Sequence, residues 1–497
     1  MNGPILAIEQ RATFTRATVF SPDRRALASA RDQHRPIFPA PGEVEREPSE
    51  IVEEVLATCR AALVRARTDP EKIAAIGIAS QRGGAVLWDR ESGRPLHRAI
   101  TPGDRRTGER SHALERAGVA RLVLERTGQR LDASAPALLL AWLLDNVEGA
   151  RPLAEDGRLA FGTLDSFLLW RLTDGRVHAT DATNAAATLL YNIHQRGWDG
   201  DLLRLFDVPE SLLPAVFDSA NYFGGADAAR FGGGAGLVPI HALVGDAQAS
   251  LIGKAGFAPG ALGAALGDGG LILNTGAEAV ATDGSVTTTI ASQRDGKAAY
   301  ALEAAAPSAT SPLDWLRDRL GIAGSVPELE ALAQSARPEA SVDFVPAFAG
   351  LGSPWPDPDA RAAILGMTAD TGRAELVQAA FEAVAFQTLA TIGAMHAAWD
   401  EAPADGPLRI DGPLAESGMT LRLIAGLLDR PVERPTSRDA TALGAAWLAG
   451  RAIDQWPDAE AFAAEWKPGA VFEPSPPDAR TADRYGRWLE AVDRVRR

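Results

Sequence analysis

Short apolar runs and longer amphipathic stretches alternate along the first half of this chain. Ile5 to Ile8 and Ala17 to Phe20 flank a polar tip carrying Gln10, Arg11, Thr13 and Thr15, and predict two buried strands joined by a tight turn. Ile51, Val55, Leu56, Cys59 and Leu63 recur at helical spacing, with Pro48 well placed near the first turn, and predict a helix over 48–65. The runs 73–79 and 85–89 predict two strands, the second closed by Glu91-Ser92-Gly93. Helical patterns follow at 105–126, 134–148 and 164–172. Residues 231–246 predict a glycine-rich surface turn leading into a short strand, because no Lys-Ser or Lys-Thr opens a helix after the glycines as a phosphate loop requires. This alternation is the pattern of an α/β domain.

The second half repeats the opening. Residues 261–276 again read strand, glycine-rich turn, strand, which predicts a duplicated architecture with a cleft between the halves. A chain of 497 residues is too long for one core, and the expected units are 1–253 and 254–497. Further on, 371–399 predicts a long buried helix. The segment 438–450 predicts one rich in Ala and Gly, against which another backbone or a flat ligand can lie closely.

Composition narrows the function classes. Hydrophobic residues make up 46% and charged residues 23%, as in ordinary globular proteins. With 50 Lys and Arg against 65 Asp and Glu, the formal net charge is −15, which argues against nucleic acid or an anionic membrane as the main partner. Cys59, the single cysteine, cannot form an internal disulfide and reads as a small buried hydrophobe. No signal-peptide pattern opens the chain and no uninterrupted apolar run is long enough to span a bilayer, so a cytoplasmic location is expected.

Several blocks in order carry a resemblance over nearly the whole length: 38–51, 73–82 (IAAIGIASQR), 161–186, 244–253 (VGDAQASLIG), 345–368 and 432–450. Together they resemble the FGGY family of carbohydrate kinases, and within it the glycerol-kinase branch. The resemblance implies two actin/hexokinase-like (ribonuclease H-like) α/β domains around a central cleft. It also implies transfer of the ATP γ-phosphoryl group, with Mg2+, to a hydroxyl of a small sugar, polyol or related molecule. Asp246, between a strand end and a helix start, takes the place of the catalytic base, because a hydroxyl acceptor needs a carboxylate within hydrogen-bond reach. Capping of the following helix is the structural alternative for Asp246. Arg82 matches the substrate-binding Arg, and a cleft-wall cation paired with a carboxylate is its alternative. Glu9 stands where the family has a metal-associated Asp. Arg11, Thr13 and Arg16 of the first hairpin and Gly267, Asp268 and Gly269 of the second would surround the phosphates. Gly412, Pro413 and Ser417 would lie at the adenosine end. A homodimer or homotetramer is the oligomeric state the resemblance implies.

The sequence departs from the family at both ends of this site. Gly83, Pro102, Ser134 and Ala247 replace the Glu, the two aromatic residues and the Gln that hold glycerol. A site built to hydrogen-bond particular hydroxyls discriminates steeply, so these four changes predict loss of glycerol specificity and room for a larger or less polar acceptor. Arg11 replaces a Gly of the phosphate turn, where a side chain stands in the way of backbone donors. Asp268 puts a carboxylate where a hydroxyl met phosphate, and Pro413 removes a backbone donor. Two functions are compatible with this pattern. One is a working kinase of altered acceptor range, as Asp246 and Arg82 predict. The other is a pseudokinase that binds or regulates with little phosphotransfer, as the coordinated changes predict.

Overall fold

The computed structural model describes residues 2–266, 270–305, 311–348, 350–399, 406–436, 439–475 and 479–496. The first hairpin forms as expected: β1 (Ile5–Gln10) and β2 (Phe14–Phe20) pair antiparallel, and β3 (Ala26–Gln33) extends the meander. Helix α1 (Pro48–Ala66) leads to β4 (Ala75–Ser80), which pairs parallel with β1. The short strand β5 (Gly225–Asp227) and β6 (Leu237–Gly245) complete a six-stranded sheet of order β5-β6-β4-β1-β2-β3. The hydrophobic run of β1 is continuous because both its faces are covered. Leu6 and Ile8 pack with Ile51, Val55 and Cys59 of α1, while Ile5 and Ala7 pack with Ala445 and Ala449 of a helix from the second half. Burial pushes the Cys59 thiol up to about 12, so it is an inert part of this core.

Helix α2 (Asp246–Gly253) follows β6 without a break. The second sheet then repeats the first. Strands β7 (Leu262–Ala265) and β8 (Gly270–Gly276) pair antiparallel; β9 (Thr287–Arg294) and β10 (Lys297–Ala305) continue outward. On its other side β7 pairs parallel with β11 (Leu408–Asp411), and then come β12 (Val432–Pro435) and β13 (Pro468–Phe472), in the order β9-β10-β8-β7-β11-β12-β13. A hairpin, a third antiparallel strand and two following parallel strands thus recur in the same arrangement.

Helix α3 (Arg373–Ala398) is long and apolar enough to cross a membrane by length and composition, but 78% of its most apolar window is buried in the core of the second half. Helix α4 (Gly418–Leu428) lies beside it, and α5 (Ala440–Ala452) crosses back onto the first sheet. Small residues permit that crossing. A Cβ on Gly444 would fall 1.9 Å from the Ala249 carbonyl of α2, one on Gly253 1.9 Å from the Ala440 carbonyl, and one on Gly77 2.2 Å from the Ala445 carbonyl. The helical pattern expected over 105–126 is two helices, Gly108–Arg116 and Ala120–Thr127, parted at Gly118, whose φ of +78° no continuing helix allows. The strand after the glycines of 231–236 is nine residues long rather than short.

Candidate active site

Register brings the site together. Gln10 of β1 lies beside Ser80 of β4, and Ser80 beside Gly245 of β6, at the carboxyl ends of three parallel strands. The residues that follow, Arg11, Arg82 and Asp246, therefore leave the sheet from neighbouring positions, where open α/β sheets place their ligands. The second sheet does the same: Ala265 of β7 pairs with Asp411 of β11, so Leu266 and Gly412 emerge side by side. Gly267, Asp268 and Gly269, expected around the phosphates, lie outside the described residues.

Asp246 is the first residue of α2. Its Oδ1 accepts the N–H of the next residue, Ala247, at 2.8 Å; the capping position of the helix is Gly245 rather than Asp246, and the Asp246 side chain keeps 19% exposure. Behind it, the Gly245 N–H donates to Thr183 Oγ1 at 2.7 Å, and Thr183 Oγ1 donates in turn to the buried Asp181. Those bonds tie the β6–α2 junction to a rigid floor.

Arg11 does not need the backbone freedom of the Gly it replaces. Its N–H donates to the Phe14 carbonyl at 2.9 Å, so the tight turn is intact, and its φ is not in the left-handed region. The side chain turns inward and is 8% exposed. Nε donates to Glu9 Oε1 at 2.8 Å, Nη2 donates across the cleft to Thr441 Oγ1 at 2.7 Å, and Nη1 lies 3.6 Å from Asp246 Oδ2. Arg16, opposite Glu9 in the hairpin, sits 3.5 Å from Glu9 Oε2 and also bonds Asp439 of the second half. Burial pushes the Glu9 carboxyl above the usual range, against the pull of Arg11 and Arg16. Oε2 of Glu9 is buried and accepts no hydrogen bond. Thr13 is exposed at the tip of the turn.

A cavity of about 720 Å³ opens between the halves; Arg11 lines it and Asp246 does not. Glu9, Arg11 and Arg16 line it from the first half and Asp411, Gly412 and Pro413 from the second. Pro413 opens the 3-10 turn Pro413–Glu416, a position whose N–H has no partner within the turn, so the proline removes a donor the turn does not use. Gly412 has φ +92°, and a Cβ there would fall 2.3 Å from the Leu266 carbonyl, so glycine is required. Ser417 is 1% exposed; it caps α4 by accepting the Thr420 N–H at 3.1 Å and donates to Glu330. It does not line the cavity.

The acceptor side shows the same mixture. Arg82 lies on the cleft wall and is ion-paired with Glu303 of β10. Burial works against the Arg82 charge, yet Glu303 beside it holds its pKa above the ordinary value. Gly83 and Gly84 have φ of +86° and +75°, and a Cβ on Gly83 would stand 3.6 Å from Pro102. Two of the substituted acceptor positions are therefore neighbours, and the backbone at Gly83 and Gly84 is suited to glycine. Ser134 is turned onto Asp132, whose Oδ1 accepts both its N–H and its hydroxyl at 2.8 and 2.6 Å. Ala247 presents a methyl group beside Asp246.

One residue with no sequence signal joins the two sides. Lys254, just past α2, is 1% exposed and donates to Asp411 at 2.7 Å and to the Ala264 carbonyl at 3.1 Å. Ser250 of α2 also donates to Asp411, at 3.0 Å. Burial pulls the Lys254 pKa down and Asp411 opposes it. The helix that begins with Asp246 is thereby fastened to the strand that ends at Gly412.

Two halves that repeat one strand arrangement, a cleft at the strand ends and a carboxylate on the strand–helix junction beside it define an actin/hexokinase-like phosphotransferase fold. The sequence comparisons give the family. The description "FGGY family of carbohydrate kinases, N-terminal domain" matches residues 4–253 and its C-terminal counterpart matches 262–453. The chain belongs to the FGGY family of carbohydrate kinases and is glycerol-kinase-like in sequence. It is 45% identical to the glycerol kinase of Allorhizobium ampelinum, over 100% of this chain and 99% of that one. It is 46% identical to that of Methylobacterium nodulans, over 98% and 97%. The crystal structure of Plasmodium falciparum glycerol kinase with ADP superposes with a TM-score of 0.90 at 28% identity, covering 99% of this chain and 98% of that one. A gluconate kinase from Lactobacillus acidophilus, 20% identical over 99% and 98% with a TM-score of 0.87, shares the fold.

Proposed function

We propose that this chain is an ATP-dependent phosphotransferase acting on a hydroxyl of a small sugar, polyol or related molecule, with an acceptor range that is not glycerol-specific. The observation that carries this reading is the position of Asp246: a partly exposed carboxylate at a strand–helix junction, 3.6 Å from the Arg11 guanidinium that lines a nucleotide-sized cavity. Asp246 accepts the proton of the acceptor hydroxyl as its oxygen bonds to the γ-phosphorus, the bond from that phosphorus to the bridging oxygen breaks, and ADP leaves.

The donor side fits a nucleotide with a divalent cation. Among the described residues no group of three or more His, Cys, Asp and Glu side chains forms a metal cage. Mg2+ does not need one, since it is commonly held by one or two carboxylates, water and the substrate phosphates. Glu9, with its buried Oε2 accepting no hydrogen bond, is the residue that would hold it through that oxygen. Bound there, the ion would offset the charge of the phosphates. Arg16, Arg31 and Arg434 add positive charge along the cavity wall.

The acceptor pocket supports a substrate other than glycerol. Gly83, Pro102 and Ala247 offer no side-chain partner for a hydroxyl, and Ser134 is engaged by Asp132. We expect kcat/KM for larger polyols or sugars to exceed that for glycerol by about tenfold or more.

One observation favours the second reading, a cleft that binds without transferring: the Arg11 guanidinium lies against Asp246 where an acceptor hydroxyl would come. Thermal melting with and without ATP and Mg2+ decides first whether the donor binds. A native-state ligand must raise the melting temperature, and no rise at millimolar nucleotide would sink the ATP-dependent reading.

A further inference from the structure

Arg11 lines the donor cavity with Glu9, and its Nη1 also reaches Asp246. A donor in this cavity and an acceptor held by Asp246 would both lie within reach of this guanidinium. We propose that Arg11 is a built-in phosphoryl clamp: its guanidinium leaves Asp246 for the γ-phosphoryl group of the incoming donor, and this transfer of partners frees Asp246 to receive the acceptor. The proposal rests on the phosphotransferase reading above.

Three observations support the exchange. First, guanidinium binds phosphate oxygens through two parallel N–H donors, so a phosphate competes well with one carboxylate oxygen at 3.6 Å. Second, the move leaves no buried charge unpaired. Glu9 keeps Arg16 at 3.5 Å from Oε2, and Asp246 keeps the Ala247 N–H and its exposure to the cleft. Third, the side chain is anchored by Thr441 at the start of α5, so its reach is set by the second half of the molecule as well as by the hairpin. The clamp then supplies, from a side chain, positive charge where phosphate turns usually present backbone N–H groups, and charge stabilisation of the transferring group follows from its position. It also imposes an order: Asp246 becomes available only after the donor is in place.

The test compares a nucleotide that carries the γ-phosphate with one that lacks it. Binding of ATP and of ADP, each with Mg2+, is measured by calorimetry on the wild-type chain and on Arg11→Gln and Arg11→Lys, with unliganded melting curves to show that each variant is folded. The expected result is that wild type binds ATP about tenfold or more tightly than ADP. In Arg11→Gln that preference should fall to about twofold or less with ADP affinity nearly unchanged, and Arg11→Lys should recover part of it. An ATP-to-ADP preference unaltered in Arg11→Gln overturns the clamp. So does tighter ATP binding in Arg11→Gln than in wild type, which would make Arg11 an obstruction. If neither nucleotide binds wild type, the donor assignment itself falls and the clamp with it; binding of both with an unchanged ratio removes the clamp alone.

Discussion

Asp246 gains its position from a backbone N–H on one oxygen and a guanidinium near the other, both on elements that the sheet holds in register. Asp246→Asn keeps the shape and removes the base, and should lower kcat by about 10²–10⁴-fold with ADP binding unchanged, as calorimetry and a steady-state assay would show. Gly83 illustrates a change that a single substitution does not reverse. At φ +86° a Glu side chain there is strained, so Gly83→Glu should cost about 1–2 kcal/mol in a urea melt and fail to create glycerol activity. His34 sets a pH dependence. Burial, helped by Arg46 beside its Nδ1, lowers its pKa from 6.5 to about 4, so the unfolded chain binds the extra proton between those values. The stability that neutral His34 contributes is complete above about pH 6.5 and is lost as pH falls toward 4. A plot of melting temperature against pH should fall over that window, and less steeply for His34→Gln. The sequence named the residues at strand ends, Glu9, Arg11, Arg82 and Asp246, because motif order marks them. It gave no hint of where the Arg11 side chain goes, which depends on Thr441, 430 residues away.

At the scale of elements, the contact between α2 and α5 governs the geometry. The Ala and Gly content of 438–450 made a close backbone approach legible, and the structure supplies the partner, with Gly444 and Gly253 facing each other's helix. Gly444→Ala puts a methyl 1.9 Å from the Ala249 carbonyl, and should destabilise by about 1–3 kcal/mol in chemical denaturation while displacing the helix that carries Asp246. Elements whose ends are set by backbone conformation were harder to read. The helical pattern over 105–126 continues through Gly118, and only the positive φ there shows the break. Pro413 lacks a donor, and the structure adds that it opens a 3-10 turn that has no use for one. Ser417 looked like a ligand group and is a helix cap with Glu330 as a second partner.

For the whole molecule, the halves are joined by charge pairs as well as by apolar packing. Arg16 with Asp439 and Arg82 with Glu303 cross between the halves, and Lys254 with Asp411 fastens the end of α2 to the second sheet. Removing one partner of the buried pair leaves an uncompensated charge, so Lys254→Met should cost about 3–5 kcal/mol and weaken nucleotide binding through Asp411 and Gly412. The overall architecture was the most legible level, since strand, turn, strand opens both halves and collinear blocks run through both. The pairs that connect the halves were the least legible, because residues hundreds of positions apart share no local pattern.

The central claim is that this cleft transfers a phosphoryl group with Asp246 as base. It is tested most directly by following ADP formation from ATP and Mg2+ with glycerol and a panel of larger polyols and sugars, for the wild-type chain and for Asp246→Asn. The account predicts acceptor-dependent ADP formation by the wild type, greater with an acceptor other than glycerol, and its near-complete loss in the variant. No acceptor-dependent turnover across the panel, or turnover that survives in Asp246→Asn, would contradict it.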